Sequence, residues 1–375
     1  MDDFVTLTVN GLDYAGWKSV RIEAGLERIA RSFELSVTDR WPGSVEQVRR
    51  IRPGDLCEVR IGEDLVCTGY VDATPINYDA DSITIMIRGR SKTADLVDCS
   101  ADNSGGQFKG QKAEAIAKKL AGQYGLDVVT ETATGAALID HQIQQGETAF
   151  ESLDRIAKQR QILITDNAAG SVVLASAGSG GRAKTSLVYG ENILSASAGF
   201  DFADVYSDYQ VKGQTGKAGN DADWGASSAA GAASTLGKAQ DNSIKRRRVL
   251  IVRQSGQADN DTCNKRAAYE QQIRAAKAEE ARYRVVGWRQ ENGQLWQPNQ
   301  TVSVQDPVMA VNKDLLISEV IYTLDNSGLL AELVVIPAAA FLTEPEQQQK
   351  AAARQKTSKK TKKTKVSAWD EINQL

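Results

Sequence analysis

Histidine is nearly absent: His141 is the only one in 375 residues. Chemistry that passes a proton through imidazole would have to use that side chain, and no nucleophile or metal partner has a recognisable motif beside it. Cysteine is scarce too, with four residues at positions 57, 67, 99 and 263 and no CxxC pair. A zinc site of Cys and His needs closer clustering. Cys57 and Cys67 fall on neighbouring expected strands, so a bridge is geometrically open, but reduced thiols suit a protein folded in a cytoplasm. No apolar run approaches the roughly 20 residues needed to span a bilayer. The opening MDDFVTLTVNG lacks the basic and apolar stretches of a secretory signal. Neither sign of charge dominates: 45 Lys and Arg face 48 Asp and Glu. That balance is not the footprint of a general nucleic-acid binder.

What the chain does contain is alternation. Residues 1–95 read as a first β module of six short strands, a small barrel or sandwich. Phe4 to Val9 alternates and ends at Asn10-Gly11, a hairpin signal. Residues 51–71 and 296–321 read as two copies of one unit: a Pro53-Gly54 or Pro298-Asn299 turn, an alternating strand, and a returning strand. Leu329 to Ile336 then takes the place of Ser82 to Arg88. Further upstream, Phe33-Glu34-Leu35 aligns with Tyr209-Gln210-Val211, which makes the second copy the longer one. The surplus is a Gly/Ala/Ser-rich stretch, 213–244, expected to be a long mobile loop, and a charged helix over 261–284 with Thr262 as its cap. The second β module spans 185–342.

Residues 96–176 change character to a compact α/β insert. Lys109 to Tyr124 has helical apolar spacing and stops at Gly125. Thr148-Ala149-Phe150-Glu151 is a capping box opening a second helix. Two strands flank the hairpin turn Asp166 to Gly170. Ser176 to Gly181 reads as a linker. The last segment, 343–375, is Lys-rich on a Thr/Ser background and cannot bury a core. The expected class is therefore α+β: two related antiparallel β-barrel modules, an α/β insert domain and a flexible C-terminal tail.

No motif commits the chain to catalysis. Acidic pairs such as Asp201/Asp204 and Glu279/Glu280 could serve glycoside hydrolysis, but 48 acidic residues make chance adjacency the better account. Gly178 to Gly181 resembles a phosphate loop in composition only, without GK[ST]. Lys245 with Arg246, Arg247 and Arg248 either binds phosphate or an acidic partner or is a solvated basic run. Trp288 and Trp296 flank a hairpin, where cross-strand packing competes with a role as interface anchors. Trp369 lies in an amphipathic end, Ala368 to Ile372, suited to docking. The interface candidates are Arg246, Arg247, Arg248, Trp288, Trp296 and Trp369; no catalytic, cofactor or metal residue is named.

The stretch from Arg284-Val285-Val286-Gly287-Trp288 to Trp296-Gln297-Pro298-Asn299, with Leu315-Leu316-Ile317 downstream, resembles the hub proteins of contractile phage tails. The likeness is to Mu-like baseplate hubs within the late-control-gene-D group. The order of β module, insert with AxxIAKKLAxxYGL and ESLDRIAKQ helices, and interrupted β module agrees over residues 1–342. The resemblance implies a structural homotrimer in the virion tail, made in the host cytoplasm. Two tube-like barrels per subunit would form a quasi-sixfold ring joining a trimeric central spike to a hexameric tail tube. Implied partners are the spike protein, a tube or tube-adaptor protein and baseplate wedge proteins. DNA would pass the channel without sequence-specific binding, and no stable membrane insertion or cofactor is implied. Alternatives are a cell-wall-binding or peptidoglycan-degrading tail component and a type VI secretion-like spike protein.

Overall fold

The computed structural model describes residues 3–38, 51–79, 83–103, 105–160, 162–214, 234–257 and 259–342. The first unit holds β1 (Val5–Val9), β2 (Leu12–Tyr14), β3 (Ser19–Gly25), β4 (Ser32–Thr38), β5 (Leu56–Ile61), β6 (Asp64–Ala73), β7 (Ile76–Tyr78) and β8 (Ile83–Ser91). Alternation sets the faces: Val5, Leu7 and Val9 are buried while Thr6 and Thr8 are not. Asn10 and Gly11 both take positive φ, as a tight hairpin turn requires, and Val9 pairs Leu12 across it.

The insert holds α1 (Ala94–Asp98), β9 (Gln107–Gln111), α2 (Ala113–Gly122), β10 (Val128–Thr130), β11 (Leu138–Gln142), α3 (Ala149–Arg160), β12 (Leu163–Asp166) and β13 (Val172–Ala175). Its own core joins Ile116, Leu120, Leu153, Ile156, Val172 and Leu174. The capping box closes in both directions. Glu151 N donates to Thr148 Oγ1, and Thr148 N donates to Glu151 Oε2. The helix expected from Lys109 begins only at Ala113, because residues 107–111 pair with β11.

The rest holds β14 (Leu187–Val188), β15 (Ile193–Ala198), β16 (Asp208–Gln214), β17 (Ser234–Gln240), β18 (Val249–Gln257), α4 (Asn260–Lys277), β19 (Ala281–Val286), β20 (Thr301–Asp306), β21 (Val311–Asp325) and β22 (Gly328–Ile336). Two expectations are corrected here. The charged helix ends at Lys277 rather than 284, since Ala281, Tyr283 and Val285 alternate inward as a strand. Its N-cap is Asp259, whose carboxylate accepts from Thr262 N, rather than Thr262. Of the stretch expected to be a mobile loop, residues 234–240 form β17, paired with β16. Residues 215–233 lie outside the described residues.

Among the described residues no closed barrel is formed. Fourteen strands make one sheet, eleven of them along the path β15-β19-β22-β21-β3-β4-β8-β6-β5-β1-β2, with β7 on β8, β20 on β21 and β14 on β20 beside it. The cause is the length of β21. Its first part pairs β20, and its second part, Glu319 to Leu324, pairs β3 of the first unit. One apolar cluster accordingly runs from Val5, Leu7 and Ile22 to Trp288, Tyr322 and Val335.

Within that sheet one pairing order occurs twice. β3-β4-β8-β6-β5 and β15-β19-β22-β21-β20 are both antiparallel throughout, with the same chain order. Both returning strands carry a register shift against their partners, between Val71 and Ala73 and between Ile317 and Glu319. The alignment of Phe33-Glu34-Leu35 with Tyr209-Gln210-Val211 is therefore wrong: β4 corresponds to β19. Tyr209 and Val211 belong to a separate sheet, β17-β16-β18, which packs on α4 around Cys263 and Ala267. That sheet and helix are inserted between β15 and β19.

Candidate assembly surfaces

Two arginines tie the parts together. Arg31, between β3 and β4, donates from Nε to Asp166 Oδ1 at 3.1 Å, from Nη1 to Val66 O at 3.1 Å and from Nη2 to Asp166 O at 3.3 Å. Asp166 ends β12 of the insert, and its side chain is 1% exposed against 16% for Arg31. Ser91 Oγ and the Arg31 backbone N donate to the second carboxylate oxygen. Burial pushes the Asp166 carboxyl up, and Arg31 and the Ser91 hydroxyl pull it back. Thr165 Oγ1 adds a bond to Gly25 O. The insert is thereby clamped to the first unit.

Arg289 is the second tie, from the 288–296 hairpin to the first unit. It donates from Nε to Asp3 Oδ1 at 2.8 Å, from Nη1 to Asp64 Oδ2 at 2.6 Å and from Nη2 to Ile61 O at 3.1 Å. Neither arginine carried a sequence signal, because each partner lies far away in the chain. The segment read as a linker is also held. Asn299, with φ of 67°, accepts from Gly178 N and donates to Ser176 O and Ser179 Oγ. A Cβ at Gly180 would stand 2.8 Å from the Asn299 carbonyl oxygen, so only glycine allows this approach.

The hairpin tryptophans point inward. Trp288 is 0% and Trp296 2% exposed, so neither offers a surface to a partner, and their reading as interface anchors is corrected to core packing. Trp288 Nε1 donates to Thr323 O and Leu330 O, and Tyr322 crosses its ring edge-on at 6.2 Å. The Tyr322 hydroxyl donates to Trp296 O. Both indoles belong to the main apolar core, beside Val302, Tyr322 and Ala331.

The basic run divides. Arg246 and Arg247 are exposed. Arg248 is engaged: Nη1 donates to Phe202 O, Nη2 to Ala203 O, and its guanidinium lies 5.1 Å from the Tyr206 ring centroid. Trp369 lies outside the described residues. His141 Nε2 is 2.8 Å from Ser152 Oγ, but Ser152 is fully buried, so the pair braces β11 against α3 rather than meeting a substrate. Cys57 and Cys67 are free and buried, and burial pushes the Cys57 thiol up to about 12. Among the described residues no group of three His, Cys, Asp or Glu could hold a metal ion, and no helix is long and apolar enough to cross a membrane.

Exposed apolar side chains are spread over the chain, and two strand edges carry some of them. Ile76 and Tyr78 of β7 are 55% and 82% exposed. Leu194 of β15, and Phe200 and Phe202 just after it, are 56%, 44% and 43% exposed. Ile76 also borders a cavity of about 270 Å³ lined by Ile51, Arg52, Pro53, Thr74, Ile85 and Ile87. Exposed apolar patches of this kind mark places where a protein meets a partner or a ligand.

Fold and surfaces together place the chain among β-rich proteins with exposed apolar strand edges. Comparison with known proteins specifies which. Residues 4–91 match the family described as Mu phage baseplate assembly protein GpP-like, N-terminal. Residues 93–176 match the second domain of baseplate hub protein gp44-like proteins, and residues 260–344 the fourth domain of Mu phage baseplate assembly protein GpP. The chain is 36% identical over 358 residues to baseplate hub protein gp44 of Escherichia phage Mu, covering 93% of this chain and 92% of that one. The 43 kDa tail protein of prophage MuSo2 from Shewanella oneidensis is 33% identical with a TM-score of 0.80, covering 91% and 99% of the two chains. The tail protein from Neisseria meningitidis MC58 shares the fold at 22% identity, with a TM-score of 0.73 and coverage of 91% and 99%. The chain belongs to the baseplate hub family of Mu-like phages.

Proposed function

We propose that this baseplate hub protein assembles as a homotrimer in the virion tail, where it adapts a trimeric central spike to a hexameric tail tube. The observation that carries this reading is the doubled pairing order, with a register shift at the corresponding place in both runs. Two equivalent β units per chain and three chains make six similar units around an axis. Such a ring meets sixfold and threefold neighbours without breaking its own symmetry. Residues 1–95 and 185–342 supply the units, and 96–176 forms the insert domain clamped beside them through Arg31 and Asp166. The inserted sheet and α4 sit between β15 and β19, so they project from a loop position and leave the repeated strands intact.

The role is structural. Spike, tube or tube-adaptor and wedge proteins are the partners, and DNA crosses the central channel without base-specific contacts. Arg246 and Arg247, exposed on the inserted part, are available to an acidic neighbour. A reconstruction of the assembled tail tests the reading: three chains around the axis with six superimposable β units are expected. Six chains around the axis would overturn it. Purified protein incubated with peptidoglycan should release no soluble fragments; release abolished by one carboxylate substitution would overturn the structural role.

A further inference from the structure

Inside the chain, the second unit is joined to the first where Glu319 to Leu324 pair β3: Val320 opposite Ala24, Tyr322 opposite Ile22, Leu324 opposite Val20. The matching register shifts identify the corresponding edge of the first unit. Val71 and Ala73 stand for Ile317 and Glu319, so Thr74, Ile76 and Tyr78 stand for Val320, Tyr322 and Leu324. β8 backs Ile76 and Tyr78 with Ile85 and Ile83, as β22 backs Tyr322 and Leu324 with Ala331 and Leu329. The opposite edge of 73–78 has no partner strand among the described residues. Tyr322 is 4% exposed under β3, but Ile76 is 55% exposed. The cavity of about 270 Å³ beside Thr74, Ile76, Ile85 and Ile87 lies where Val320, Tyr322, Ala331 and Leu333 are covered in the second unit.

The same correspondence makes β15 the counterpart of β3. Phe33 and Ala281 both oppose the residue that follows the shift (Gly89 and Val335), so Ala198 stands for Ile22 and Ala196 for Val20. Among the described residues β15 pairs β19 on one side only. Its sequence, ILSASA, has none of the charges or prolines that guard a free edge. Each chain thus carries one unfilled copy of each half of its own internal joint.

We propose that β15 of one subunit pairs with residues 73–78 of the next, repeating the β3–β21 joint between chains and carrying the sheet around the ring. Ala198 then lies opposite Ile76, Ala196 opposite Tyr78, and Phe200 opposite Thr74 at the cavity. Each pair sets a small side chain against a larger one. Pro75 does not obstruct: its carbonyl accepts from Met86 N, so its missing N–H also faces β8. The two edges lie on different units, so the contact is head-to-tail and closes when the rotation per subunit completes a circle. This deepens the trimer reading and rests on it.

The test is a cross-link in the full chain, both purified and in assembled tails. Asn77 and Ser197 are exposed and fall opposite each other as a non-hydrogen-bonded pair, with Cα atoms about 4.5 Å apart, which suits a disulfide. The double variant N77C/S197C, with C99S to remove the one thiol that is not buried, should convert on oxidation to a covalent trimer on denaturing gels. Either single cysteine should give none. I76D, at an exposed position, should abolish the trimer in sedimentation and leave the far-ultraviolet circular dichroism of the folded chain unchanged. A trimer that neither cross-links at this pair nor dissociates with I76D overturns the strand joint while leaving the trimer standing. Covalent chains growing past three overturn closure. A monomer in solution and in tails overturns both readings.

Discussion

Replacing Asp166 by leucine should be among the most damaging single changes in the chain. The carboxylate is 1% exposed and receives the Arg31 guanidinium, the Arg31 backbone N and the Ser91 hydroxyl. Leucine would leave a guanidinium that is 16% exposed with only the Val66 and residue-166 carbonyls as acceptors, and would strip the Arg31 backbone N and the Ser91 hydroxyl of one acceptor each. Breaking one side of a buried ion pair costs about 3–5 kcal/mol. Urea unfolding followed by far-ultraviolet circular dichroism measures it, and amide exchange along β12 reports whether the insert loosens first. The double variant R31M/D166L removes both charges and should recover most of the loss, because an apolar replacement of the whole pair is often neutral. The pH dependence gives a second reading. The folded carboxyl lies above its ordinary value of 3.8, so its contribution is fully present below that pH and declines as pH rises through the folded value. R31M removes the group that pulls the carboxyl down, so the decline should shift to higher pH and deepen. A D166L variant within about 0.5 kcal/mol of the parent, the range of a bland surface change, would refute the clamp.

W288A should cost about 3–5 kcal/mol, as large-to-small changes at buried aromatics do; W288F should cost less but still remove the indole N–H that the Thr323 and Leu330 carbonyls share, leaving Leu330 O with the Thr323 hydroxyl, and differential unfolding of the two separates volume from hydrogen bonding. R289A should cost about 1–3 kcal/mol for the polar groups left unmet and should speed amide exchange at the β5–β6 turn, where Asp64 and Ile61 lose their partner. Burial and the nearby Arg155 hold the His141 imidazole below its ordinary 6.5, against Glu147 and Asp140. Its contribution is therefore present above that pH and is lost as pH falls from there through the folded value. H141Q should flatten the pH profile of insert stability over that window, and an unchanged profile would count against the assignment.

The local elements were written in the sequence. Period-2 alternation marked Val5 to Val9 and the strands after Pro53 and Pro298, Asn10-Gly11 marked its turn, and Thr148 with Glu151 marked the start of α3, because each depends on residues within a few positions. The family was legible for the same reason, from contiguous stretches around Trp288 and the insert helices. Tertiary structure decided the rest. Alternation says which face of a strand is apolar but not which strand lies beside it. Hence the apolar pattern of β4 fits β16 as well as it fits its true counterpart β19, and β21 joins the two units instead of closing one of them. The inward aim of Trp288 and Trp296 is set by the strands that surround them. Arg31 and Asp166 are 135 positions apart, and neither has local context to announce a buried pair. Non-local pairing is chosen by the sum of burial and hydrogen bonding over the whole sheet, a quantity that no single segment of the chain contains.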